Sequence, residues 1–268
     1  MSDRMTLQIL PTGTMHADLH WMLSSPHLMA SRHETDRAAS WVQSPTHCVY
    51  IDHPDGKVIW DAGVPPDWER RWAPYGLNEL FPVDTVTDDM WLEARLRQLG
   101  LEPQDVDYLL LSHLHFDHVG QADLWVGTDT KVVVSQAELD GAFGYEGPSL
   151  GGHVLSDYDR LSFTTVQGDT EVLPGVTLLQ TPGHSWGTMS LKVDLPDTGT
   201  MIFTSDAVYL DENYGPPATA AGIVWDSRQW FASVEKIRTL AETNDATVVF
   251  GHSARQLRQL KTTPAVYT

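Results

Sequence analysis

The fold of this chain is narrowed most by one apolar run that ends in metal-binding chemistry. Val106-Asp107-Tyr108-Leu109-Leu110-Leu111 has the length and apolar character of a buried strand, and it empties directly into Ser112-His113-Leu114-His115-Phe116-Asp117-His118. Three further β-type runs also end in a potential donor. Val176 to Thr181 leads to Pro182-Gly183-His184, Thr200 to Thr204 to Ser205-Asp206, and Thr247 to Phe250 to Gly251-His252. A fold that gathers several strand ends on one side of a core is required.

The remaining patterning shows what surrounds these strands. Met5 to Leu10, His47 to Ile51 and Lys57 to Trp60 read as short strands, the last two joined by the hairpin signal Asp52-His53-Pro54-Asp55-Gly56. Lys131 to Ser135 and Met189 to Val193 add two more. Residues 16 to 44 show little periodicity and read as a long loop or arm of the kind that lines a site or an interface. Thr87, with Asp88 and Asp89, is placed to cap a helix carrying Leu92, Leu96 and Leu99 on one face and stopping at Gly100. A second helix presents Trp230, Val234, Ile237 and Ala241 as a stripe. Strands of alternating character with a few interspersed helices indicate two sheets covered by helices, an αββα sandwich, rather than a doubly wound parallel sheet. With no repeat and no linker, residues 1–268 read as one domain.

Charge removes several classes of partner. Seventeen Lys and Arg against 36 Asp and Glu leave a net charge of −19, which repels phosphate backbones and anionic membranes. No stretch approaches the ~20 apolar residues of a membrane helix. The start of the chain lacks a signal-peptide core, so a cytoplasmic location is expected. A lone cysteine, Cys48, permits neither an internal disulfide nor a cysteine-based zinc cluster.

Where thiolates are absent, imidazole and carboxylate are the ligands a Zn²⁺ ion prefers. On an extended segment His113 and His115 point to one side and can share an ion. Asp117 and His118 are adjacent and reach a common centre only from a turn, beside the first position, so the spacing favours two metals over one. Asp206 is placed to bridge them, and His184 and His252 to complete one ion each. Asp61, in Ile59-Trp60-Asp61-Ala62-Gly63, ends a strand and reads first as an acceptor that orients a ligand histidine, with a cap of the turn as the alternative. His16, His20, His27, His33, His47, His53 and His153 carry no ligand spacing and read as ordinary polar residues.

The His-x-His-x-Asp-His tract with distal His, Asp and His resembles the metallo-β-lactamase superfamily over Asp61 to His252. The resemblance implies the αββα fold with its site at the sheet edge. It implies His113, His115 and His184 on a first ion, Asp117, His118 and His252 on a second, and Asp206 between them. Within that superfamily, Asp206-x-x-Tyr209, Asn213-Tyr214-Gly215-Pro216-Pro217, Ala221-Gly222 and the block Pro174 to Gly187 are similar to the N-acyl-homoserine lactonase family. That similarity implies a dinuclear zinc hydrolase that opens a lactone ring by attack of a metal-bridging hydroxide. Tyr209 would donate its phenol to the carbonyl oxygen and Asp117 would carry a proton to the departing alkoxide. It places Met15, Trp21, Met22, Leu23 and Met29 near an acyl pocket and the Gly222 N–H toward the substrate amide.

The partner expected is a small-molecule lactone, with a homodimer through residues 16 to 44 as a further expectation. The alternatives within the fold act on another lactone, ester, thioester or β-lactam. A glutathione thioesterase asks for basic residues that are sparse here, and phosphodiesterases and ribonucleases meet the same charge. A β-lactamase with a cysteine ligand is disfavoured because Cys48 is far from the tract. A non-enzymatic metal-binding scaffold is the remaining class, opposed by an intact seven-ligand set.

Overall fold

Alternation of buried and exposed residues along the strands divides the chain into layers. The computed structural model describes residues 4–25, 29–144 and 152–268. A seven-stranded sheet contains β1 (Thr6–Asp18), β2 (Trp41–His53), β3 (Gly56–Trp60), β4 (Val83–Thr85), β5 (Tyr108–Leu110), β6 (Lys131–Ser135) and β7 (Phe163–Val166), in the order β4-β1-β2-β3-β5-β6-β7. The second sheet contains β8 (Thr170–Leu173), β9 (Val176–Gln180), β10 (Met189–Leu195), β11 (Gly199–Phe203) and β12 (Thr247–Val249), in the order β12-β11-β10-β9-β8. Both sheets are mixed. The β1-β2-β3 ladder is antiparallel and β3-β5-β6-β7 parallel, while β8 to β11 are antiparallel and β12 runs parallel to β11.

Between the sheets lie Ile9, Ile51, Val58, Trp60, Leu110 and Val133 of the first and Val176, Leu178, Leu191, Val193, Met201 and Phe203 of the second. The residues one step along point the other way, as period-two geometry demands. Ile59, Leu109, Val132 and Val134 therefore meet the helix Leu92–Gln98 through Leu92 and Leu96 on the outer face. Leu179 and Ile202 meet Trp230, Val234, Ile237 and Ala241 of the helix Ser227–Asn244. Two helix layers outside two sheets make the expected αββα sandwich.

Several local readings are revised. Residues 16 to 44 are not loop throughout: β1 continues to Asp18 and β2 starts at Trp41, paired from Thr6↔Asp52 to Asp18↔Trp41 with a register shift between Pro11 and Gly13. Pro11, Gly13 and the polar residues beyond hide this ladder from a propensity reading. The helix expected from Thr87 begins at Leu92, because the Thr87 hydroxyl bonds the Asp89 carboxylate and Met90 N–H closes a turn on Thr87 O. Strands β4, β7 and β8 were not anticipated; β4, β7 and β8 lie at sheet edges and alternate weakly.

The helix Ser227–Asn244 seals the second sheet and is held at its start by Asp226, whose Oδ1 accepts from Arg228 N (2.9 Å) and Gln229 N (3.0 Å). Asp226→Ala should cost about 1 kcal/mol, the usual value of such a cap. Trp230→Ala, which empties a fully buried site, should cost about 3–5 kcal/mol. Chemical denaturation read by circular dichroism checks both, and equal costs would contradict this assignment of the helix's stability to its buried face.

Candidate metal centre

Each donor stands just past the end of a strand, where the backbone leaves the ladder and turns. The tract follows β5, His184 follows β9, Asp206 follows β11 and His252 follows β12. Both sheets therefore contribute, and the seven side chains converge in a buried cluster. Donor atoms of His113, His115, His184 and Asp206 lie within 4.8 Å of one another, as do those of Asp117, His118 and His252. In the first group His184 Nε2 is 2.8 Å from His115 Nδ1 and 3.1 Å from His113 Nε2, which is itself 3.0 Å from His115 Nδ1.

Asp206 stands between the groups. Its Oδ1 is 3.0 Å from His252 Nε2 and 3.1 Å from His118 Nε2, while Oδ2 is 3.3 Å from His184 Nε2 and 3.6 Å from His113 Nε2. Asp117 Oδ2 is 3.6 Å from both His118 Nε2 and His252 Nε2. The residues that the resemblance assigns to two ions are thus brought together in two groups, with Asp206 between them.

The outer imidazole nitrogens show what the cluster suits. His118 Nδ1 meets Asp61 Oδ2 at 2.8 Å, His252 Nδ1 meets Pro45 O at 3.0 Å, and His113 Nδ1 meets Ser112 Oγ at 2.9 Å. His184 Nδ1 lies 3.2 Å from Ile223 O and 3.0 Å from the Tyr209 hydroxyl. A ring that donates outward carries its proton there and presents a lone pair inward. The ring nitrogens of His113, His115 and His184 crowd at hydrogen-bond distance, and Asp206 and Asp117 draw His118 and His252 toward positive charge, so the donor set fits cations.

Asp61 holds this arrangement as anticipated. Its carboxylate accepts from Ser112 N (2.7 Å), Ser112 Oγ (2.9 Å) and His118 Nδ1, and its own backbone takes φ 59° to reach all three. Burial opposes charge on Asp206, yet His118, His252 and His184 hold its carboxyl well below the usual range. Burial likewise keeps His113 and His115 well below the ordinary imidazole value and therefore neutral.

A narrow cleft opens beside the cluster. Met15, Trp21, Met22, Phe81 and Ile223 form its apolar wall, and Asp117, Asp206, His252 and Tyr209 its polar end. Met15, Trp21 and Tyr209, which the resemblance assigns to the substrate, all line this cleft. Met29 is 54% exposed and, like Leu23, does not line the cleft. Gly222 requires a correction: its N–H donates to Trp21 O (3.1 Å) and is not directed at a ligand. A Cβ at Gly222 would stand 1.8 Å from His20 O, so the residue is glycine because the arm packs against it.

Other histidines find ordinary partners: His16 with Asp84, His20 with Asp18, His33 with Arg32, and His53 with Pro174 O. His27 lies outside the described residues. His47 and His153 do more than spacing suggested. His47 sits where burial, His252 and His118 push it down to about 3, and the His153 ring packs edge-on against His115 at 4.5 Å. Glu138 was missed altogether. Fully buried, it keeps its charge against desolvation through His153, Ser185 and Leu114. No periodic signal in the sequence marks a polar residue that is buried on the inner side of a helix.

Comparison with known proteins places this geometry. The family model of the metallo-beta-lactamase superfamily matches residues 41–252. The chain belongs to that superfamily. Among superfamily members, an N-acyl homoserine lactonase of a Bacillus species is 31% identical over 226 residues, spanning 82% of this chain and 86% of the relative. The N-acyl homoserine lactonase AiiB of Agrobacterium fabrum is 29% identical over 280 residues, spanning 97% and 98%. A solved superfamily structure, an N-acyl homoserine lactone hydrolase with the product N-hexanoyl-L-homoserine at its catalytic metal centre, superposes with TM-score 0.82 at 25% identity, covering 100% of both chains.

Gly222→Ala should displace the arm at His20 and destabilise the protein by about 1–3 kcal/mol, the range for overpacking a tight contact. A thermal melt of the variant checks this. An unchanged melting temperature would return Gly222 to a role in ligand binding.

Proposed function

We propose that this protein is a dinuclear zinc hydrolase that opens the lactone ring of N-acyl homoserine lactones to the free acids. The observation that carries the reading is the juxtaposition of an apolar-walled cleft with Tyr209 and Asp117 beside two donor groups able to hold a pair of metals. Relatives named as lactonases over most of the chain support it. His113, His115 and His184 would hold one ion and Asp117, His118 and His252 the other, with Asp206 lying between the two groups. Divalent ions bound there supply Lewis acidity to a carbonyl oxygen and acidify a water molecule.

The chain's own residues do the rest. Met15, Trp21, Met22 and Phe81 take the acyl chain by burying its apolar surface and leave the polar ring at the Tyr209 end. Burial raises the Tyr209 phenol well above its usual value, so it stays protonated and donates to the carbonyl oxygen as negative charge develops. Asp117 has a second carboxylate oxygen besides the one that faces His118 and His252, and through it takes the proton of the attacking water and passes it to the departing alkoxide. No nucleophilic Ser or Cys is called for.

The same reading extends to assembly and location. We place the enzyme in the cytoplasm as a single domain over residues 1–268. Among the described residues no helix is long and apolar enough to cross a membrane. A homodimer through residues 16 to 44 has exposed Met29 and Trp41 to draw on. The surface charge of −19 turns away nucleic acid.

Proton-release assays on acyl-homoserine lactones, a β-lactam, a thioester and a phosphodiester test the proposal. Lactone opening should dominate and disappear on chelation, and Zn²⁺ should restore it with two ions per chain by elemental analysis. Tyr209→Phe should lower kcat about 100-fold or more with both ions retained. Turnover of the thioester or β-lactam with silence toward every lactone would sink the lactonase reading and leave the metallohydrolase.

A further inference from the structure

One buried anion outside the seven donors touches both segments that carry the three-histidine group. Glu138, on the helix Gln136–Gly144 after β6, has 0% exposure. Its Oε1 accepts from Leu114 N at 3.1 Å, the peptide between His113 and His115. Its Oε2 accepts from Ser185 Oγ at 2.6 Å and Gly187 N at 2.9 Å, in the loop that presents His184. Two oxygens of one carboxylate thus tie the tract of the first sheet to a loop of the second.

The third connection runs through His153. Its Nε2 lies 3.5 Å from Glu138 Oε1, and its ring covers the flank of His115 at a centroid distance of 4.5 Å. The loop also packs closely against the helix that carries Glu138. A Cβ at Gly187 would stand 2.4 Å from Glu138 N, and one at Gly141 would stand 2.2 Å from the Trp186 ring. All three histidines are therefore addressed from one side chain: His113 and His115 through the peptide between them, His184 through its successor Ser185, and His115 again through His153.

We propose that Glu138 is a positioning residue for the His113, His115 and His184 site, fixing the relative placement of its imidazoles and supplying a buried negative charge that favours a cation there. The proposal rests on the reading that these histidines hold an ion. Two features make the carboxylate specific. Leu114 N, Ser185 Oγ and Gly187 N are all donors, so both oxygens must accept. An amide at this position would turn an NH₂ toward one set of donors and leave it unsatisfied in a dry interior. The charge itself would also be lost beside neutral imidazoles.

Stepwise Zn²⁺ affinity of the chelator-stripped protein, measured by competition with a chromophoric chelator, separates this role from a merely structural one. The wild type should bind two ions. Glu138→Gln should bind one ion normally and the other about 10- to 100-fold more weakly, the usual effect of losing a residue that orients ligands. Its Co²⁺-substituted form should lose the visible band of one site. Ser185→Ala, which removes one donor and keeps the carboxylate, should weaken the same ion to a smaller degree, and it decides the matter if Glu138→Gln does not fold. Two unchanged affinities in a folded Glu138→Gln, or in Ser185→Ala where that variant decides, would overturn the proposal even with a lowered melting temperature. A wild type that binds no ion would overturn the metal reading itself.

Discussion

A carboxylate taken out of water must be given hydrogen-bond donors or opposite charge, and Asp206 is the point at which this protein meets that demand. With 3% exposure, its two oxygens face His118 and His252 on one side and His184 and His113 on the other. Those four histidines come from three chain segments and from the ends of strands in both sheets. The two sheets can satisfy Asp206 only if they stack in one registration. The interleaved core of Val58, Trp60, Leu110, Leu178, Leu191 and Phe203 sets that registration. Core packing and site geometry are consequently one problem: a shift between the sheets would strand a buried charge.

The parts of this arrangement that follow local rules are legible in the sequence. The run before His113 announces a buried strand by its apolar length, and Trp230, Val234, Ile237 and Ala241 recur at helical spacing. His184, Asp206 and His252 stand out because each closes a β-type run. Even the role of Asp61 is readable from its place after Trp60, since a strand end opposite the tract is where an orienting acceptor is useful. What stays hidden depends on partners distant in sequence. Glu138 looks like any helical glutamate until Leu114 and Ser185 are seen to converge on it. Gly222 looks like a free backbone donor until Trp21 O takes its N–H. The full extent of β1 and β2 is hidden by Pro11 and Gly13, whose cost in a strand is offset by a ladder running to Asp18↔Trp41.

The protein is acidic over its surface, with a net charge of −19, yet its centre is built to attract cations without salt-bridging lysines or arginines. Burial keeps His113, His115 and His184 neutral, while the carboxylates of Asp206 and Asp117 draw His118 and His252 the other way against their burial. This division suits a neutral substrate with a polar ring and an apolar tail. A charged one would have to cross the surface field and then lie against Met15, Trp21 and Phe81.

The cleft wall and the metal floor are held by different interactions, which bears on how such a fold changes substrate. The floor depends on sheet stacking and on anchors such as Asp61. The wall depends on the arm, where Trp21 O accepts from Gly222 N and Ile223 N, Ser24 N donates to Ala220 O, and the buried Asn213 amide donates to Met22 O (3.0 Å) and Thr219 O (2.9 Å). None of these wall contacts involves a metal-donor side chain. Substitutions in the arm and in residues 213–223 can therefore reshape the space for a ligand while leaving the two donor groups in place. A fold whose floor and wall are held separately can vary its substrates without rebuilding its chemistry. Here His184 Nδ1, 3.2 Å from Ile223 O, is the contact where the two systems meet.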